Sequence, residues 1–185
     1  MSLFKFILSL FKSRQSRRSS SDGYEVVVDK GTAPGAVDRI EDDFKEGLEP
    51  HFKIIIDTLV QKANEEGLKV GMHKGYRSFY EQKKLYAKGR TKPGKKVTNA
   101  RPGYSWHNFG LAADIVFQTP KGHWTWSQKH DWQRLGEIGK SLGLKWGGDW
   151  QFRDMPHFQV TGVLSLTLAR RKYDEGGLKK VWDSI

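Results

Sequence analysis

Ser105-Trp106-His107-Asn108-Phe109-Gly110-Leu111-Ala112-Ala113-Asp114 carries a histidine and an aspartate seven positions apart. Neutral imidazole and carboxylate are the donors that hold zinc where no thiolate is available, and the chain has no cysteine. Two donors leave such a site incomplete. His157 is the candidate third ligand, and Asp154, three residues earlier, hangs beside it without needing to bind the ion. Two histidines and one aspartate leave a fourth position of a tetrahedral zinc open to water, an arrangement suited to hydrolysis. Attack on an amide also needs a base to take the proton of water and return it to the leaving amine, and Asp154 is the candidate. Arg77, in Gly75-Tyr76-Arg77-Ser78, could aim its fork at a carboxylate or a developing oxyanion, or be an ordinary surface arginine. There is no His-Glu-x-x-His, the commonest helical zinc-protease signature. His51, His73, His123 and His130 read as structural or surface residues.

The elements that must position these groups follow from local pattern. Seven residues is about two helical turns, so one helix could place His107 and Asp114 on the same side. Gly110 argues against this, as does the apolar run Leu111 to Phe117; the reading is a loop carrying His107, a turn at Gly110 and a strand carrying Asp114. Ser78 and Glu81 form a capping box that starts a helix just after Arg77 and runs it to about Gly89, followed by a basic, turn-rich loop through Thr98. Pro156 implies an extended approach to His157 and a strand after it. Two helical stripes come earlier: Val37, Ile40, Phe44 and Leu48, then Phe52, Ile55, Ile56, Leu59, Val60 and Ala63, the second with Pro50 in its first turn and Gly67 as its stop. A short strand, Leu68 to Met72, follows. Thr119 to His130 is a loop or hairpin, Asp131 to Leu142 a helix, and the tail from Leu164 a helix to Asp174, a turn at Gly176-Gly177 and a short final helix.

At 185 residues the chain fits one domain with a single core and a short appendage. Its charge of +11 implies attraction to polyanions, whether nucleic acid, anionic lipid or cell-wall polymer. Four of seven tryptophans, Trp124, Trp126, Trp146 and Trp150, flank the two candidate metal segments. They could wall a sugar or peptide groove or simply pack the core. Residues 1–23 read as a separate basic amphipathic segment, with Leu3, Phe4, Ile7, Leu8 and Phe11 on one face and Arg14, Arg17 and Arg18 following. It is too short and interrupted to span a bilayer, lacks a clear cleavable signal, and could lie at a membrane interface through residues 1–18 or be a terminal helix with no membrane role. Residues 24–185 form the second region.

Ser-x-His-x-x-Gly-x-Ala-x-Asp at Ser105 to Asp114, followed by Asp-x-x-His at Asp154 to His157, resembles the zinc-dependent D-Ala-D-Ala carboxypeptidase and L-alanyl-D-glutamate endopeptidase family of cell-wall enzymes. Gly-Tyr-Arg-Ser with Gln82, Gly-Arg-Thr-x-Pro-Gly through Val97-Thr98, and Trp-Gly-Gly-Asp-Trp before Pro-His-Phe-Gln are similar too. The likeness covers roughly Arg39 to Trp182 and is strongest to the L-alanyl-D-glutamate branch found in phage endolysins and bacterial cell-wall peptidases. It implies a small single α+β domain of the hedgehog/DD-peptidase kind, an antiparallel sheet carrying the ligands with helices packed to one side. It implies His107, Asp114 and His157 as Zn2+ ligands, Asp154 as general base, and Arg77 as the group that stabilises the oxyanion or holds substrate. Ser105 and Gln82 join Arg77 as substrate-binding residues. Many carboxypeptidase relatives have Glu where this chain has Asp154; the endopeptidase branch accepts Asp.

The expected activity is hydrolysis of L-Ala–D-Glu in peptidoglycan stem peptides. Removal of terminal D-Ala is the alternative within the class, and a basic wall- or nucleic-acid-binding module with a vestigial metal site is the alternative outside it. The expected partner is peptidoglycan, with no nucleic acid and a monomeric state. Action falls on the cell wall or periplasm, by a phage-type lysin released from the cytoplasm or by a membrane-associated bacterial enzyme.

Overall fold

The computed structural model describes residues 47–160, 162 and 164–185. The segment 1–23 and the stripe Val37, Ile40 and Phe44 lie outside the described residues. Helix α1 (Pro50–Glu65) begins where Pro50 predicts, capped by Glu49, whose carboxylate accepts the Phe52 amide at 2.7 Å. Its stripe of Phe52, Ile55, Ile56, Leu59 and Ala63 is buried. Strand β1 (Val70–Lys74) leads to α2 (Phe79–Ala87), which opens on the expected Ser78/Glu81 capping box. A 3-10 turn over Trp106–Phe109 precedes β2 (Ala112–Gln118), and β3 (Trp124–Thr125) returns on it as a short hairpin. Helix α3 (Trp132–Ser141), β4 (Lys145–Trp146), a second 3-10 turn at Gly147–Asp149 and β5 (His157–Gln159) follow. Helix α4 (Leu166–Trp182) is broken at Gly176 and Gly177, where the sequence predicts a turn.

The sheet is antiparallel in the order β1-β2-β5-β4, with β3 added to β2. Alternation gives it two faces of different chemistry. Ala113, Ile115 and Phe117 of β2, Phe158 of β5 and Trp146 of β4 enter the core with the α1 stripe and with Leu135 and Ile138 of α3. Two glycines inside α3 each cost helix stability, and close packing explains them. A side chain at Gly136 would overlap the Trp146 ring, and one at Gly139 the Phe158 ring. The opposite face carries Asp114, His157 and Gln159, and this face is the floor of a groove.

Candidate active site

Each of the three predicted metal donors is delivered by a different device. The 3-10 turn presents His107 and ends at Gly110, which adopts a left-handed conformation (φ 67°) and redirects the chain into β2. Asp114 follows on that strand, and antiparallel register sets it opposite His157 at the start of β5. His107 Nε2 lies 3.2 Å from Asp114 Oδ1 and 3.2 Å from His157 Nδ1, with His157 Nδ1 3.5 Å from the same carboxylate oxygen.

The remaining ring nitrogens are already committed. His107 Nδ1–H donates to the Gly75 carbonyl at 2.8 Å, and His157 Nε2–H donates to Gln159 Oε1 at 3.0 Å. Two imidazole lone pairs and a carboxylate oxygen therefore converge, an unfavourable grouping unless a cation or an added proton sits among them. Donors about 2.0–2.1 Å from a tetrahedral zinc lie roughly 3.3 Å from one another. The observed separations match that spacing, and the donor set fits zinc. Arg77 Nη2 lies 3.5 Å from Asp114 Oδ2, so the guanidinium occupies the second oxygen and leaves Oδ1 to face the imidazoles. Burial pushes the Asp114 carboxyl up, but imidazoles carrying the added proton outweigh it through hydrogen bonds and charge, and hold the group well below the ordinary carboxylate range.

The triad opens into a groove of about 1070 Å³ that also takes in Arg77, Ser105 and Asp154. Asp154 lies on its wall, in the loop between the second 3-10 turn and β5. Loss of surrounding water raises its carboxyl above the usual value; the charge of His157 opposes this and that of Asp114 reinforces it. A carboxyl adjusted in that direction is a better proton acceptor than an ordinary aspartate. Trp126 and Trp150 line the groove, with the Trp150 ring 5.0 Å from that of His157, whereas Trp146 is 2 % exposed and belongs to the core. Three of the four tryptophans thus divide between the two expectations, and Trp124 is exposed beside the groove.

Gln82 requires a correction. The resemblance implies contact with substrate, but its side chain is fully buried. Its Oε1 accepts from Arg77 Nη1 at 3.2 Å, and its Nε2 donates to the Ala100 carbonyl at 2.8 Å and to Thr98 Oγ1 at 3.3 Å. Its contact with the site is through Arg77. Gln82→Ala is expected to retain metal while kcat falls roughly tenfold to a hundredfold, the cost of a misplaced guanidinium. Metal analysis and steady-state kinetics on the same preparation check this. Three supporting groups were not assigned from the sequence. Asn108, inside the motif, donates to the Arg77 carbonyl at 2.7 Å and accepts the Gly103 amide at 3.0 Å, tying both flanks of the site together. Gly75 and Gln159 orient the two imidazoles. Gln159 carried a signal that could have found it: it stands two residues beyond His157 on the same strand face.

An antiparallel sheet that presents two imidazoles and a carboxylate to a groove, with a carboxylate and a guanidinium beside them, defines a metal-dependent hydrolase. Residues 45–153 match the family described as VanY: D-alanyl-D-alanine carboxypeptidase, and the chain belongs to that family. It is 43% identical over 122 residues to the peptidoglycan L-alanyl-D-glutamate endopeptidase CwlK of Bacillus subtilis (strain 168), a match covering 61% of this chain and 73% of that protein. Among solved structures it resembles the L,D-carboxypeptidase DacB from Streptococcus pneumonia, at 28% identity and a TM-score of 0.49 over 63% of this chain and 67% of that one. It also resembles a VanY D,D-pentapeptidase from a VanB-type vancomycin resistance cassette, solved in complex with Zn(II), at 19% identity and a TM-score of 0.45 over 72% and 83%.

Proposed function

We propose that this protein is a zinc-dependent peptidoglycan peptidase that cuts the L-Ala–D-Glu bond of the stem peptide. The observation that carries the reading is the 43% identity, over 122 residues, to an enzyme of that name. In this reading His107, Asp114 and His157 hold the ion. Zinc held there supplies Lewis acidity, acidifying water and polarising a carbonyl. Asp154 takes the proton from the attacking water and delivers it to the departing amine of D-glutamate. Arg77, held by Gln82 and by the Asp114 carboxylate, offers positive charge to the oxygen of the scissile carbonyl or to a substrate carboxylate. Ser105, on the groove wall, is placed to meet the peptide.

Mass spectrometry of muropeptides after digestion tests the proposal, with metal content measured on the same sample. The expected products carry a new amino terminus at D-glutamate, and a chelator should abolish their formation until zinc is restored. Release of free D-Ala alone would reassign the enzyme as the D-Ala-D-Ala carboxypeptidase of its family description. Intact muropeptides with zinc bound would overturn both readings.

We further propose that the enzyme works as a monomer at the cell wall, with residues 1–18 making a peripheral membrane contact. No helix among the described residues is long and apolar enough to cross a membrane. Deleting residues 1–23 should move the protein from the membrane fraction to the soluble one; an unchanged distribution would leave that segment without a membrane role.

A further inference from the structure

The groove has an aromatic end that the chemistry above does not use. Trp124 and Trp126 are 37 % and 50 % exposed, although large apolar rings are costly on a surface. Both meet the His73 ring edge-on, with centroids 5.4 and 5.1 Å away, so His73 braces both indoles. The sheet is shaped to seat them. Gly71 offers bare backbone, and a side chain there would press on the Trp124 ring at 3.1 Å. An irregularity in β1 between Met72 and Lys74 lies at His73 itself. His73 and Trp126 line the same groove as His107, Asp114 and His157, and the exposed Gln128 lies on that wall beside them.

We propose that the exposed indole of Trp126, braced edge-on by His73 at the shelf formed with Trp124, stacks a pyranose ring of the glycan strand. Flat aromatic surface suits the apolar C–H face of a sugar, and a neighbouring amide suits its hydroxyls; an apolar peptide side chain would have no use for Gln128. The inference rests on the L-Ala–D-Glu reading, which fixes where a sugar must be. L-Ala is joined to the muramic sugar through a lactyl ether, so one residue separates the cut bond from the ring. An extended residue spans at most about 3.6 Å, which places the sugar within roughly 10 Å of the reacting carbonyl. His73 adjoins Lys74, the register partner of Asp114 on the neighbouring strand, and strands lie about 4.8 Å apart. His73 therefore stands inside that reach, and Trp126 packs against it. For an enzyme removing terminal D-Ala the sugar would be several residues further away.

Two substrates of identical peptide test the shelf, one bearing N-acetylmuramic acid on L-Ala and the other a plain N-acetyl group. The wild-type protein is expected to favour the muramyl form roughly tenfold in kcat/KM, the size of one stacking contact. Trp126→Ala should bring the ratio towards one, and Trp126→Phe should restore part of it. A ratio that Trp126→Ala leaves in place, or a wild-type ratio near one, overturns the proposal; equal losses on both substrates would mean that the shelf serves the peptide. Binding of the peptide-free disaccharide N-acetylglucosaminyl-N-acetylmuramic acid to the zinc-loaded Asp154→Ala protein gives an answer that needs no cleavage. Binding that Trp126→Ala abolishes supports the shelf even if the bond assignment fails, and no binding in either protein counts against it.

Discussion

Asp154→Ala is expected to keep its zinc and lose about three orders of magnitude in kcat, whereas His107→Ala should lose both metal and turnover. The separation follows from where each group stands. His107 Nε2 points at Asp114 and His157, and its Nδ1–H is used up on the Gly75 carbonyl, so its outward lone pair has one role, to bind the ion. Removing it leaves two donors of three and exposes buried polar groups to an unfilled space. Metal affinity should fall far beyond the roughly tenfold to hundredfold typical of losing a residue that only orients a ligand. Asp154 stands outside the donor cluster and shares only the groove, so its loss removes proton transfer, an effect worth roughly 10²- to 10⁴-fold. Metal content and muropeptide turnover, measured on folded protein verified by circular dichroism, separate the roles. An Asp154→Ala protein that comes out free of zinc would make Asp154 a ligand. One that turns over within tenfold of wild type would end its assignment as base.

How much of this was legible depended on how local each cause is. The α1 stripe, the Ser78/Glu81 capping box, the helix after Asp131 and the break at Gly176-Gly177 are decided within a few residues, and each stands where the sequence placed it. His107, Asp114 and His157 were legible as residue types, since a thiol-free chain has few ways to hold zinc. The geometry of their convergence was not, because it depends on the register of β2 against β5, which sets Asp114 opposite a residue far along the chain, His157. Gln82 shows the limit most clearly. A glutamine one turn into an amphipathic helix reads as solvent- or ligand-facing, and only the return of Thr98 and Ala100 over it makes a buried amide favourable. The tryptophans divide for the same reason: Trp146 is buried because Gly136 lets α3 approach it, a fact written on a different element.

Gly110→Ala is expected to be the most damaging single-methyl change near the site, lowering stability by about 2–5 kcal/mol and weakening zinc binding at the same time. Two costs add. The backbone at Gly110 is left-handed (φ 67°), which costs an L-residue roughly 1–2 kcal/mol. The new methyl group would also overlap the Gly47 carbonyl oxygen, backbone that cannot rotate away as a flexible side chain could, and such overpacking costs about 1–3 kcal/mol. The segment cannot retreat freely either, because the Gly110 carbonyl accepts the Glu49 amide at 3.0 Å just before α1. Any shift is passed to the 3-10 turn, since the Leu111 amide bonds the Trp106 carbonyl at 3.1 Å and His107 lies between them. The donor spacing of 3.2 Å then opens, and with it the match to a tetrahedral ion. Gly122→Ala is the control. Its backbone is equally left-handed (φ 78°), but it faces open space, so it should cost only the conformational term and leave zinc affinity untouched. Urea unfolding of the two variants, with and without zinc, and a competition titration for the metal give both quantities. Equal destabilisation by the two substitutions would show that the contact with Gly47 is not what fixes His107 over Asp114.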